Sequence, residues 1–303
     1  MTTARRGYRY YTVDVFTDRP LEGNPLAVLV DATGLDSARM QGIAAEFNYS
    51  ETAFVLPPAD GAHTAAVRIF TPRMEVPFAG HPNVGTAFLL GHLGTCLGRP
   101  IGHALTFEER AGLVPVDLMV ENGRTVGATL TAPQPLTRGT PAPVDRVAAS
   151  VSLDAADIVT NRHAPLMASV GLPFLMVEVA SRAALARARP DIAALATLLP
   201  DTHSEGIHLY TRVTGDATAD IYSRMFAPQD GVLEDPATGS ANAALAALLA
   251  ELSLSQAPTI ALRIAQGIEM GRPSLLLTEV RRSPPQVRVG GRCTVVMDGT
   301  LSL

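Results

Sequence analysis

One unusual pattern occurs twice in this chain. A strand ends in an aromatic-proline hook, an acidic loop follows, and a glycine opens an apolar helix. The first copy runs Arg68-Ile-Phe-Thr-Pro72, then Glu75-Val-Pro-Phe-Ala-Gly-His-Pro82, then Val84 to Leu93. The second runs Arg224-Met-Phe-Ala-Pro228, then Glu234-Asp-Pro-Ala-Thr-Gly-Ser-Ala241, then Asn242 to Leu252. Phe70 and Phe226 are 156 residues apart in a chain of 303, so the repeat divides the sequence into two halves of similar plan. Each half is long enough to bury its own core. Two helix N-termini, one from each half, can then face a single site between them.

The Pro- and Thr-rich run from Ala132 to Pro143 is the natural linker. The strands after Pro258 can complete either half, and the division adopted is 1–132, with 290–303 available to complete it, and 133–289. Strand signals cover Tyr10 to Phe16, Leu26 to Val30, Thr52 to Leu56, Ala66 to Phe70, Pro115 to Val120 and Thr125 to Thr131 in the first half. In the second they cover Leu175 to Val179, Ile207 to Val213, Asp220 to Phe226, Ser274 to Val280, Gln286 to Val289 and Cys293 to Met297. Helices are expected after Asp36, at Val84 to Leu93, Asp154 to Val159, Arg182 to Arg189, Asp191 to Leu199 and Ser240 to Leu252. The helices after Gly80 and Gly239 are apolar almost all round, which places each in the middle of a curved sheet. An α/β (α+β) fold with two pseudo-symmetric domains follows.

Composition removes several chemistries. All 24 basic residues are arginine, so a lysine Schiff base and a Walker-loop lysine are both excluded. The net charge is -5 and the arginines are scattered, which argues against nucleic acid as a partner. Cys96 and Cys293 are too few and too isolated for a disulfide scaffold or a zinc site, so no metal is expected. Apolar runs fall short of membrane-spanning length and the start lacks an apolar signal core, so the expectation is a cytoplasmic protein without a membrane partner.

The first turn of a helix has unpaired N–H groups at the positive end of the dipole and so binds anions. Gly80-His81 and Gly239-Ser240 both occupy that place, which suits a small carboxylate substrate; the alternative is that both glycines only make tight turns. His81 and Asp235 offer proton chemistry near neutral pH, or serve as a hydrogen-bonded structural residue and a turn residue. Glu51 enters the apolar strand Thr52 to Leu56, where burial should raise its pKa and suit it to acid or base work; a solvated loop glutamate is the plainer reading.

Together, Phe16, Glu22-Gly-Asn-Pro-Leu26, Met40-Gln41, Asn48-Tyr-Ser-Glu-Thr52, Arg68-Ile-Phe-Thr-Pro72, Phe78-Ala-Gly-His-Pro82, Asp235-Pro-Ala-Thr-Gly-Ser-Ala241 and Gly271-Arg-Pro-Ser274 resemble the PhzF-type phenazine-biosynthesis isomerase family. The resemblance implies a diaminopimelate-epimerase-like fold, two barrel-like sheets each around a central helix, with the active site in the cleft between them. It implies a cofactor-free, dimeric isomerase in which Glu51 transfers the proton and His81, Asp235 and Ser240 flank it. By the same resemblance, the backbone at Gly80-His81 and Gly239-Ser240 holds the substrate carboxylate. Neither glycine-led stretch contains cysteine, unlike the two-thiol racemases of this fold, and Tyr49 stands where the family commonly has leucine. A carboxylate-binding protein without activity, and a dehydratase or lyase on a related acid, are the competing readings.

Overall fold

The structure, a computed structural model, describes residues 6–303 apart from 216 and 231. Met1 to Arg5, the stretch read above for a signal core, lies outside them. The chain divides into two compact units, Met1–Leu130 with Gly290–Leu303, and Thr131–Val289.

The first unit contains β1 (Gly7–Val15), β2 (Asn24–Leu29), α1 (Ser37–Phe47), β3 (Glu51–Leu56), β4 (Ala65–Phe70), β5 (Glu75–Val76), α2 (Gly80–Leu93), β6 (Thr95–Cys96), β7 (Arg99–Pro100), β8 (Ala104–Glu109), β9 (Gly112–Glu121) and β10 (Arg124–Thr131). The second contains β11 (Thr137–Pro141), α3 (Val144–Ser150), β12 (Leu166–Ser169), β13 (Pro173–Glu178), α4 (Arg182–Arg187), α5 (Ile192–Asp201), β14 (Gly206–Thr211), β15 (Ile221–Ala227), β16 (Val232–Asp235), α6 (Gly239–Leu252), β17 (Thr259–Gln266) and β18 (Ser274–Arg282). β19 (Pro285–Ser302) begins in the second unit and ends in the first.

In the first unit the pairings β1–β2–β3–β4–β8–β9–β10–β19 return to β1, so the sheet closes on itself. Closure leaves no free edge. Helix α2 packs against β1, β2, β3 and β9 of that ring, and its residues Gly80 to Leu90 are all buried. Helix α1 covers the outer face through Met40, Ile43 and Ala44, packed with Leu29, Phe54 and Phe70. β3 is therefore buried on both faces, which explains its unbroken apolar run from Ala53 to Val55.

The second unit repeats the plan. Its strands pair in the order β11–β12–β13–β14–β15–β17–β18, with β16 on β15, and α6 packs against β12, β13, β17 and β18. In both units the middle strand arginine grips the acidic loop with two parallel hydrogen bonds. Arg68 donates to Glu75 through Nε and Nη2, both at 2.8 Å, and Arg224 to Glu234 at 2.8 and 2.9 Å. Each guanidinium also lies over the hook phenylalanine, Phe70 or Phe226. The repeated hook is thus a device that fixes where the loop delivers the helix.

Several segments depart from the sequence reading. The helix expected at 154–159 is a single 3-10 turn, Ala155–Asp157, closed by reciprocal bonds of Asp154 and Asp157, because Ile158 is drawn into a bridge with Val179. The linker run contains an edge strand, β11, and Pro143 begins a short helix. The strands expected at 286–289 and 293–297 are one, β19, because Gly290 lets it press against β10. A Cβ on Gly290 would strike the Ala128 carbonyl.

Candidate active site

Glu51 owes its position to the end of α1. Asn48 takes the left-handed conformation at φ 53° and returns its N–H to the Ala44 carbonyl, so the chain reverses and enters β3 at Glu51. Tyr49, the residue that departs from the family pattern, turns its ring toward Phe47 at 6.0 Å. The Glu51 side chain remains 20 % exposed, enough to reach a ligand.

Its neighbour is His81, in the first turn of α2. His81 Nδ1 lies 3.5 Å from Glu51 Oε2 and 3.5 Å from the Asn24 amide nitrogen. Burial pushes the imidazole down to about 3, against an opposing pull from the Pro25 carbonyl. The ring is therefore neutral at physiological pH, and what it offers there is a hydrogen bond rather than a titrating proton. Its Nε2 makes no hydrogen bond. The residue before the helix, Ala79, has no capping side chain, and the first turn contains no acidic residue. Gly80 and His81 therefore begin a helix whose positive end is open to an anion.

In the second unit the other predicted residues gather at the start of α6. Asp235 ends β16 and accepts a 2.6 Å hydrogen bond from the Thr238 hydroxyl, while Gly239 and Ser240 form the first turn. Thr238, at the N-cap position, does not cap the helix with its side chain, so this N-terminus resembles the first. Glu51, His81 and Gly80 are thus together in one unit, and Asp235, Gly239 and Ser240 in the other.

Further polar residues support both helix starts. Asn83 and Asn242, each the fourth residue of its helix, donate from Nδ2 to the carbonyls of Ala79 and Thr238, both at 3.0 Å. Gln266 accepts from Asn242 at 2.6 Å and from the Thr238 N–H at 3.2 Å, and donates to the Asp235 carbonyl at 2.8 Å. His208 reaches Asn242 at 3.2 Å, and burial pushes it down to about 4. The one signal available beforehand was an asparagine three residues after each glycine. Both thiols are buried, and burial pushes Cys96 up and Cys293 up to about 12, which unfits them as proton carriers. Among the described residues no three His, Cys, Asp or Glu side chains cluster to hold a metal, and no helix is long and apolar enough to cross a membrane.

The comparisons with known proteins agree in kind. Residues 13–299 match the family model described as phenazine biosynthesis-like protein, PhzC-PhzF. An uncharacterized isomerase of Mesorhizobium japonicum is 38% identical over 96% of this chain and 98% of its own length. The trans-2,3-dihydro-3-hydroxyanthranilate isomerase of Pseudomonas chlororaphis is 36% identical over 98% of this chain and all of its own. In fold, the chain is similar to the PhzF-family phenazine biosynthesis protein of Bacillus anthracis, with a TM-score of 0.89 over 98% of this chain and 100% of that one, at 24% identity. With barrel-like sheets around buried helices and full-length relatives named as isomerases, the chain belongs to the phenazine biosynthesis-like PhzC-PhzF family and is an isomerase.

Proposed function

We propose that this isomerase moves a proton between two carbons of a small unsaturated or cyclic amino or hydroxy carboxylic acid, without a cofactor, and that Glu51 carries the proton. The observation that carries the reading is a partly accessible carboxylate 3.5 Å from a neutral, buried imidazole at an uncapped helix start. As carboxylate, Glu51 removes a proton from a carbon acidified by an adjacent double bond and carboxylate. As carboxylic acid, it returns that proton to a different carbon of the same substrate. His81, uncharged, orients Glu51. The open N–H groups at Gly80 and His81 bind the substrate carboxylate and stabilise charge that spreads toward it in the transition state. That Gly239 and Ser240 bind the same carboxylate, with Asp235 beside the reacting carbons, is proposed from the sequence repeat and the family resemblance. A cytoplasmic homodimer is part of the same proposal.

The candidate substrate is the trans-2,3-dihydro-3-hydroxyanthranilate named for the Pseudomonas relatives. Glu51→Gln keeps the shape and removes the base, so turnover of that acid should fall about 100-fold or more. Turnover by the wild-type protein that survives undiminished in Glu51→Gln contradicts the mechanism, and deuterium uptake from heavy water by other unsaturated acids identifies a different substrate.

A further inference from the structure

One buried acid belongs to neither group above. Glu109 is the last residue of β8, a strand whose alternate residues Leu105 and Phe107 point into the core. Glu108 faces the other way and is held by the N–H groups of Ala59 and Asp60 and by His63. Glu109 instead turns inward toward Asn83 on α2. Both its carboxyl oxygens are buried and complete no hydrogen bond, and the same holds for the Asn83 Oδ1. A buried carboxylate whose oxygens lack full partners is costly, and keeping the proton removes that charge.

The second unit shows what such a position is for. β8 runs parallel to β4 as β17 runs parallel to β15; Ala65 pairs with Phe107 where Ile221 pairs with Ile264, which brings Glu109 into register with Gln266. Gln266 fills its place with four hydrogen bonds, to Asn242, to the N–H and hydroxyl of Thr238, and to the Asp235 carbonyl. It ties the acidic loop, the cap and the first turn of α6 together. Just past the end of β8, the Ala111 N–H donates to the Pro77 carbonyl of the first unit's acidic loop.

We propose that Glu109 is a positioning residue that works as a neutral carboxylic acid, set against the Asn83 amide as Gln266 is set against Asn242 and so holding the Gly80–His81 turn. Burial pushes this carboxyl up to about 8, with only the Asn83 amide opposing it. The charged groups nearby are engaged elsewhere: Arg68 and Arg110 both bond Glu75, Glu108 bonds His63, and His81 is uncharged. Loss of the proton leaves an anion that no cation among the described residues pairs with, and the first turn of α2 loosens. The same geometry that orients the turn therefore sets an alkaline limit on it.

The test compares the wild-type protein with Glu109→Gln and Glu109→Ala, and its first two measurements need no substrate. The carboxyl carbon of Glu109, labelled with 13C and assigned from the variants, should titrate near pH 8 and not near the ordinary 4.5. Amide exchange at residues 80–83 should accelerate tenfold or more, beyond its intrinsic pH dependence, in the wild type between pH 7 and 9 and not in Glu109→Gln. Glu109→Ala, which restores no bond, should show fast exchange at every pH. Titration near 4.5, or exchange in the wild type and Glu109→Gln that remains parallel across this range, overturns the proposal. The inference rests on the reading of Gly80–His81 as a substrate site only for its catalytic consequence. With an active substrate, the wild type should lose kcat above pH 8 while Glu109→Gln retains it; titration and exchange as expected, without turnover, count against the substrate alone.

Discussion

The two units open their central helices in the same way and furnish them differently. Both use an arginine-carboxylate grip, an uncapped glycine-led helix and an asparagine that returns to the N-cap carbonyl. At the first residue of the parallel-paired strand, however, the first unit has Glu51 and the second has Gly206. Where one has Glu109 the other has Gln266, and where one has His81 the other has Ser240. The scaffold was kept twice, and a carboxyl group at the β3 position in only one copy. A proton shift between two carbons on one face of a substrate needs a single carrier, whereas opposed acids and bases are the way of two-thiol racemases.

The comparison can be pressed at its shared parts first. Arg224 is nearly fully buried, and besides Glu234 it donates to the carbonyls of Leu185, Ala186 and Ala188 at the end of α4. Arg224→Ala leaves the mostly buried Glu234 carboxylate without its guanidinium and takes one donor from each of three carbonyls, and should cost about 3–5 kcal/mol in denaturant unfolding. Gly206→Ala comes next. A Cβ there would lie 2.9 Å from the Phe226 carbonyl oxygen, so the second unit has no room for a side chain at the Glu51 position, and the substitution should cost about 1–3 kcal/mol. A variant as stable as the wild type would mean that chemistry rather than space keeps this position empty.

The pH dependence of stability separates the buried histidines from the buried acid by sign. His81 and His208 fold as neutral rings held down at about 3 and about 4, so the unfolded chain takes up protons below 6.5 and stability falls as the pH drops from there. Glu109 is raised instead, so its contribution is complete below 4.5 and is lost as the pH rises to about 8. Each group shifts stability by about 1.4 kcal/mol per pH unit inside its window. The two histidines outweigh Glu109 below 6.5 and are silent above it, which predicts a maximum near pH 6.5 in urea unfolding. Glu109→Gln should flatten the alkaline side and steepen the acid side between pH 4.5 and 6.5. The smallest effect belongs to Arg68→Ala: this pair is more exposed than its twin, and the loss should be on the order of 1 kcal/mol.

Much of this was legible in the sequence because the hook, loop and helix are contiguous. Arg68, Phe70, Glu75 and Gly80 lie within one short segment, and so do Arg224, Phe226, Glu234 and Gly239. The apolar helices gave away their burial by having no polar face. What escaped was assembled across distance: Asn24 comes to His81 over 57 residues, and Gln266 to Asp235 over 31. The pKa of His81 escaped as well, since a histidine beside a glycine looks the same in sequence whether it is solvated or enclosed. Glu109 was hidden by its own neighbourhood, Glu108-Glu109-Arg110, which reads as a solvated turn although the strand directs its middle residue inward.

The most direct measurement is exchange of substrate C–H protons with deuterium from heavy water, followed by NMR, in Glu51→Gln and in Asp235→Asn. With the proton carried by the first unit, Glu51→Gln exchanges no faster than the uncatalysed acid, while Asp235→Asn exchanges more slowly than the wild type but still measurably. Exchange that persists in Glu51→Gln and vanishes in Asp235→Asn would place the base in the second unit and contradict the assignment.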